Sequence, residues 1–135
     1  MNNKAAMALA LDQAMESNCN SVKVGCVLLT REGRYLSSGY NSTNELVCTL
    51  GACRKRAYGE LFHSRFCTAT HAEEAALLNY YGNEAYTAVC TRGYPCRYCL
   101  TRLHEAGVVR LVIRGDAFYS HSDEEFYEAH KDWFE

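Results

Sequence analysis

Proline and tryptophan each occur once in the 135 residues, and the 14 basic side chains are outnumbered by 16 acidic ones. These scarcities and several absences narrow the reading. A net charge of −2 leaves no overall basic field to hold a long nucleic-acid backbone. No apolar run reaches about 18 residues, so no membrane-spanning helix is expected. The first residues, MNNKAAMALALDQAMESN, are broken by Asp12, Gln13 and Glu16, too early for the apolar region of a signal peptide. They read as an amphipathic helix of a cytoplasmic protein. No internal repeat, low-complexity tract or domain boundary interrupts the chain, so a single domain over residues 1–135 is expected. With 48% apolar and 22% charged residues it can bury a core without disulfide staples.

Cysteine is plentiful, at eight residues. In a secreted mini-protein that number would suggest disulfides. Here no secretion signal is read and one pair has metal-ligand spacing, so metal is the better reading.

The pattern along the chain predicts alternating elements. Met7, Leu11 and Met15 recur at four-residue spacing and mark the apolar face of a helix over 3–17. Residues 22–29 (VKVGCVLL) and 34–40 (RYLSSGY) read as a hairpin turning at Arg31-Glu32-Gly33. Residues 41–69 show no clean period, and connections that long are usually functional or held by something else. A helix over 71–82 ending at Gly82, a strand over 85–91, a helix over 96–106 and a strand over 108–113 follow. Ser122-Asp123-Glu124-Glu125 has capping-box spacing and opens a last helix over 122–133. The strand–helix–strand repeats predict an α/β fold, a three-layer α/β/α sandwich around a central mixed sheet.

Two short stretches carry the chemistry. Thr70-His71-Ala72-Glu73 opens one predicted helix, and Pro95-Cys96-Arg97-Tyr98-Cys99 opens another. A lone Cys-x-x-Cys is ambiguous between a redox pair, half a zinc ribbon and a metal site. No second Cys-x-x-Cys exists for a ribbon, and the N-terminal hairpin does not suit a thioredoxin-like order. A lone histidine at a helix start is usually a cap or a surface group. Together, His71, Cys96 and Cys99 offer one nitrogen and two sulfurs. Three protein ligands leave the fourth tetrahedral position of a catalytic zinc open. Glu73, two residues after His71, is placed to move protons at that open side without being a ligand. His-x-Glu followed by Pro-Cys-x-x-Cys is the known zinc deaminase pattern.

Beyond the motif, most of the chain resembles the cytidine/deoxycytidylate deaminase superfamily. Val24-Gly25-Cys26-Val27 is similar to its V-G-A-V-I strand, Gly39-Tyr40-Asn41 to its G-Y-N, and Gly107-Val108 through Val112 to its closing strand. Within it, the chain resembles the deoxycytidylate (dCMP) deaminases. Cys19 stands shortly before the Val-Gly strand, and a long insert before His71 carries Cys48, Cys53 and Cys67. The resemblance implies a cytidine deaminase-like fold and hydrolysis of dCMP to dUMP and ammonia, in which water activated at zinc adds to C4 of the cytosine. Glu73 would protonate N3 and then the leaving amino group. Asn41 would hold the sugar or base edge, Ala72 would line the substrate site, and Tyr119 would stack on the base. The resemblance further implies dCTP and dTTP as effectors and a homo-oligomer, often a hexamer. Three places depart from the branch's pattern: Ala75 stands where an asparagine is usual, Ser42-Thr43-Asn44 follows Gly-Tyr-Asn, and Thr91-Arg92-Gly93-Tyr94-Pro95-Cys96 is one residue longer than T-x-S-P-C. They fall where the substrate pocket and the nucleotide-control site are expected, and leave the zinc residues and Glu73 intact.

The remaining cysteines divide by surroundings. Cys26 and Cys90 lie in predicted strands and read as buried free thiols. Cys19, Cys48, Cys53, Cys67 and His63 lie in polar segments. They read either as loop thiols and a surface histidine or as a second, structural zinc that staples the 41–69 connection. Cys19, Cys48 and Cys67 are its preferred ligands, with Cys53 or His63 as the fourth. Arg54-Lys55-Arg56 is a solvated loop or, through Arg54, a contact for a nucleotide phosphate, with Lys23 a weaker candidate. Phe126-Tyr127 and Trp133-Phe134 read as packing or subunit contact. The rival functions are a tRNA or single-stranded DNA base deaminase, which wants a basic groove with aromatics, a nucleoside or other small-ring deaminase, and a zinc-stabilised binding protein without catalysis.

Overall fold

The computed structural model describes residues 1–19, 22–43, 70–114 and 121–135, without the side chains of 121–123. Helix α1 (Asn3–Ala14) leads into strands β1 (Gly25–Leu29) and β2 (Tyr35–Tyr40). Helix α2 (Ala72–Leu78), strand β3 (Thr87–Cys90), helix α3 (Arg97–Glu105), strand β4 (Arg110–Ile113) and helix α4 (His121–His130) follow, with a 3-10 turn over Lys131–Trp133. The strands form one sheet in the order β2-β1-β3-β4. β1 is antiparallel to both β2 and β3, and β3 is parallel to β4. Among the described residues no helix is long and apolar enough to cross a membrane.

The period of two along each strand divides the core. Val27, Leu29 and Val89 face α1 and pack with Ala6 and Ala10. Cys26, Leu28, Ala88 and Cys90 face the other way, into a cluster with Ala72 and Ala76 of α2, Leu100 and Leu103 of α3, and Phe134. Every residue of β1 and β3 is buried, as strands covered on both faces should be. The molecule is therefore the expected three-layer α/β/α sandwich on a mixed sheet.

The first helix corrects the sequence reading. Its buried face is Ala6, Ala10 and Ala14, whereas Leu11 is 38% and Met15 73% exposed, and of the three large residues only Met7 packs on the core. The reason is how closely α1 lies on the sheet. A Cβ on Gly25 would overlap the Ala10 carbonyl and come within 2.9 Å of the Ala14 amide. No Met or Leu fits in that gap, so the alanine stripe turns inward. Helix α2 docks on β2 in the same manner, where a Cβ on Gly39 would lie 2.7 Å from the Ala72 carbonyl and collide with the Ala76 amide. The Ser37 hydroxyl donates to the Ala76 carbonyl at 2.8 Å and fixes that docking.

Some ends also differ from expectation. Helix α2 closes at Asn79 rather than Gly82, and the capping-box serine lies inside α4, which begins at His121. Gly107 does end α3 as expected. It has φ +95°, its N–H bonds the His104 carbonyl, and the Val108 N–H bonds that of Leu103. This paired closure, with Val108 packed beside Leu103, is a Schellman motif. The Arg31–Gly33 turn also forms, with Gly33 at φ +87°.

Because the Gly25 contact is with backbone, which cannot rotate away, Gly25→Ala is expected to destabilise the fold by about 1–3 kcal/mol. Urea unfolding measures this, and an unchanged midpoint would show that α1 does not need the close approach.

Candidate metal centre

Helices α2 and α3 start side by side. His71 is the N-cap of α2 (φ −77°, ψ 155°) and Cys96 the N-cap of α3 (φ −64°, ψ 165°), and neither side chain caps its own helix. Both are instead directed at each other. His71 Nδ1 lies 3.4 Å from Cys96 Sγ and 3.4 Å from Cys99 Sγ, and the three ligand atoms lie within 4.8 Å of one another. A tetrahedral zinc with ordinary bond lengths sets nitrogen and sulfur about 3.6 Å apart, so these donors fit that ion in both type and spacing. The two helix starts add the positive ends of their dipoles, which favour thiolate.

The electrostatics follow from this crowding. A hydrogen bond from the Cys99 thiol, joined by the bond and the charge of His71, holds the Cys96 thiol down to about 4. The hydrogen bond to Cys96 and its charge hold the His71 imidazolium up to about 9, against the effect of burial. Cys99 is pushed far up, first by its bond to Cys96 and then by burial. Without metal the trio therefore shares its protons as imidazolium, thiolate and thiol.

Glu73 sits on the first turn of α2, 6% exposed. Burial raises its carboxyl, while a backbone hydrogen bond and the His71 charge act against this. It also hydrogen-bonds the Cys99 thiol. A carboxyl that is dry, raised and beside the three donors is suited to taking and giving a proton.

The other expected residues are distributed less evenly. Asn41 is buried, and its amide is occupied by the chain entering β1: Oδ1 accepts from the Val24 N–H at 2.8 Å and Nδ2 donates to the Val22 carbonyl at 2.9 Å. The Ala72 side chain is in the core cluster, so only its backbone is available to a ligand. Lys23 donates to the Ser17 carbonyl at 2.5 Å, just past the end of α1. Cys19 is buried, and its N–H bonds the Ser17 hydroxyl. Cys48, Cys53, His63, Cys67, Arg54 and Tyr119 lie outside the described residues. Cys26 and Cys90 are fully buried, and they prove to be direct cross-strand partners. Sequence reasoning did not foresee that pairing, nor that Thr91 would lock the start of the metal loop. The Thr91 hydroxyl accepts from the Gly25 N–H at 3.0 Å, and the only advance signal was a threonine at a strand end.

A mixed sheet with two helix starts bringing His-x-Glu and Cys-x-x-Cys together defines the class of zinc-site deaminases. The chain belongs to the cytidine and deoxycytidylate deaminase zinc-binding family, whose model of the zinc-binding region matches residues 1–114. Deoxycytidylate deaminase of Saccharomyces cerevisiae is 34% identical over 114 residues, covering 78% of this chain and 35% of that protein. Deoxycytidylate deaminase of Schizosaccharomyces pombe is 33% identical over 118 residues, covering 78% of this chain and 34% of that protein. The chain thus spans about a third of the length of these curated relatives. The fold is also that of the dCMP deaminase from cyanophage S-TIM5 solved in complex with dCMP and dUMP. The TM-score is 0.67 at 21% identity, over 96% of this chain and 90% of that one.

Zinc needs a neutral imidazole and two thiolates. At pH 7 the metal-free trio still carries the His71 and Cys99 protons, so zinc uptake is expected to release about two protons per site. The number falls toward about one as pH rises through 9, where His71 has already given up its proton. Titration of zinc into weakly buffered metal-free protein counts them. Release of none at pH 7 would contradict this proton distribution.

Proposed function

We propose that this protein hydrolyses dCMP to dUMP and ammonia at a zinc site formed by His71, Cys96 and Cys99. The carrying observation is the pair of 3.4 Å approaches of His71 Nδ1 to two sulfurs with buried Glu73 beside them. Membership of the family and the two deoxycytidylate deaminase relatives favour a nucleotide substrate over a polynucleotide. A zinc ion held by His71, Cys96 and Cys99 would supply Lewis acidity, which makes water easier to deprotonate near neutral pH.

The chain's own groups do the rest. Glu73 takes a proton from the attacking water and delivers it to N3 of the cytosine, which draws electrons from C4 as the water oxygen bonds there. Glu73 then carries the remaining proton to the amino group, which leaves as ammonia when the C4 carbonyl forms. Burial raises its carboxyl above the usual carboxylate range, which makes it a better proton acceptor than an exposed glutamate while it can still give the proton back. The backbone of Ala72 and the remaining amide hydrogen of Asn41 are assigned to the base and sugar, Tyr119 to base stacking and Arg54 to the phosphate. The reaction takes place in the cytoplasm in a homo-oligomer, with dCTP and dTTP as candidate effectors.

The same proposal includes a second, structural zinc on Cys19, Cys48 and Cys67 with Cys53 or His63. Its support is the position of Cys19. The residue before it, Asn18, exchanges two hydrogen bonds of 2.8 and 2.9 Å with Thr43, where the insert begins. Ser42 and Thr70 are bridged by bonds of 3.0 and 2.8 Å, so the insert starts and ends at one place.

The decisive assay is ammonia release from dCMP, dCTP, deoxycytidine and a short single-stranded oligonucleotide. Turnover of dCMP is expected to exceed the others, and Glu73→Gln to lose about 10²–10⁴-fold or more in kcat while keeping its zinc. Preference for the oligonucleotide would overturn the substrate, and an active Glu73→Gln would overturn the proton path. Metal analysis tests the structural site: two zinc ions per chain are expected, falling to one in Cys19→Ser. One ion in the unaltered chain would remove that site from the proposal.

A further inference from the structure

Helix α4 lies beyond residue 114, where the family match ends, yet two successive residues of it hold the chain on either side of Cys96. Two residues before Cys96, the Tyr94 ring stacks on Tyr127, with centroids 4.0 Å apart and planes 21° from parallel. One residue after Cys96, the Arg97 guanidinium carbon stands 5.6 Å from the centre of the Phe126 ring. Tyr127 is backed in turn by Phe134, at 6.2 Å and 26°, which is part of the core. The far end of the loop is fixed by Thr91, so the stretch between Thr91 and Cys96 is tied at both ends. It needs the second tie. Gly93 has φ +142°, a conformation that side-chain-bearing residues rarely adopt, and the loop that carries Tyr94 is one residue longer than the family pattern.

We propose that the Phe126-Tyr127 pair of α4 is a clamp that positions Cys96 as a metal ligand, holding the longer loop in place by stacking on Tyr94. Phe126 and Tyr127 are positioning residues, acting through Arg97 and Tyr94 on the sulfur. The inference rests on the proposed zinc site but not on the choice of nucleotide.

The test uses the full zinc-loaded chain. The rate at which zinc passes to a chromogenic chelator is followed in Tyr127→Leu, Phe126→Leu and Tyr127→Phe. Val27→Ala, which weakens the core on the α1 face, serves as a control for general destabilisation. Cobalt(II) replaces zinc in a parallel set, because its visible spectrum reports the geometry of the sulfur ligands. Tyr127→Leu is expected to lose zinc about tenfold faster or more and to shift the cobalt bands. Phe126→Leu should do so less strongly, while Tyr127→Phe, which keeps the ring, should match the unaltered chain. Val27→Ala should unfold more easily with its cobalt spectrum unchanged. Retention and spectrum unchanged in Tyr127→Leu would overturn the clamp, and so would equal zinc loss in Val27→Ala. Where Tyr127→Leu does not fold, Phe126→Leu and Tyr94→Leu decide, and normal zinc retention in both overturns the proposal. A chain that binds zinc but leaves dCMP untouched would sink the substrate reading alone, and one that binds no zinc would sink both.

Discussion

One imidazole nitrogen held 3.4 Å from each of two sulfurs is the constraint on which the rest of this structure depends. The three donors come from two helix starts, so the helices must meet at their N-terminal ends. That requires both to lie on the same face of the sheet, and it requires α2 to sit so close to β2 that only glycine is accommodated at position 39. The hydrogen bonds from Ser37 to Ala76 and from Asn79 to the Ser38 carbonyl hold that docking in register. On the far face, α1 settles against the sheet through alanines, in a cluster that contains none of the three donors.

The same geometry sets a conflict that the fold tolerates. Crowding two thiols against an imidazole and burying Glu73 takes these groups out of water, a loss that the imidazolium–thiolate pairing of His71 with Cys96 offsets and that the Glu73 carboxylate bears more fully. Metal binding relieves this by replacing protons with a cation that all three donors can share. Folding strength and readiness for chemistry therefore draw on different parts of the molecule. The apolar contacts beneath α1 and those of Leu28, Leu100 and Leu103 beneath α2 and α3 serve the first, and the polar crowding at the starts of α2 and α3 serves the second.

Much of this was legible in the sequence, where the physical signal was local. The hairpin, the order of helices and strands and the three donors all follow from short-range spacing, because a helix start or a turn is determined by a few neighbouring residues. The buried face of α1 is not legible from residue size. Met7, Leu11 and Met15 are the larger residues, but the close approach of Ala10 and Ala14 to Gly25 turns the Ala6, Ala10 and Ala14 face inward. The pairing of Cys26 with Cys90 and the stacking of Tyr94 on Tyr127 were not visible, since each depends on register between segments more than 30 residues apart. Asn41 shows an intermediate case. Its type suggested a polar contact, and it makes two, but both are to the backbone at Val22 and Val24.

The two-bond bridge between Ser42 and Thr70 has a bearing on how such a chain can change over generations. A segment that leaves and returns at one stitched point adds little strain to what lies beneath it, whatever its length. Loop closure costs only about 0.6 kcal/mol more for each doubling of the residues enclosed. Insertions and deletions between these two residues can thus accumulate without displacing the helix that begins at His71. The stitch at Ser42 and Thr70 thus separates the length of the interval from the position of the His71 helix, so the one can change without the other.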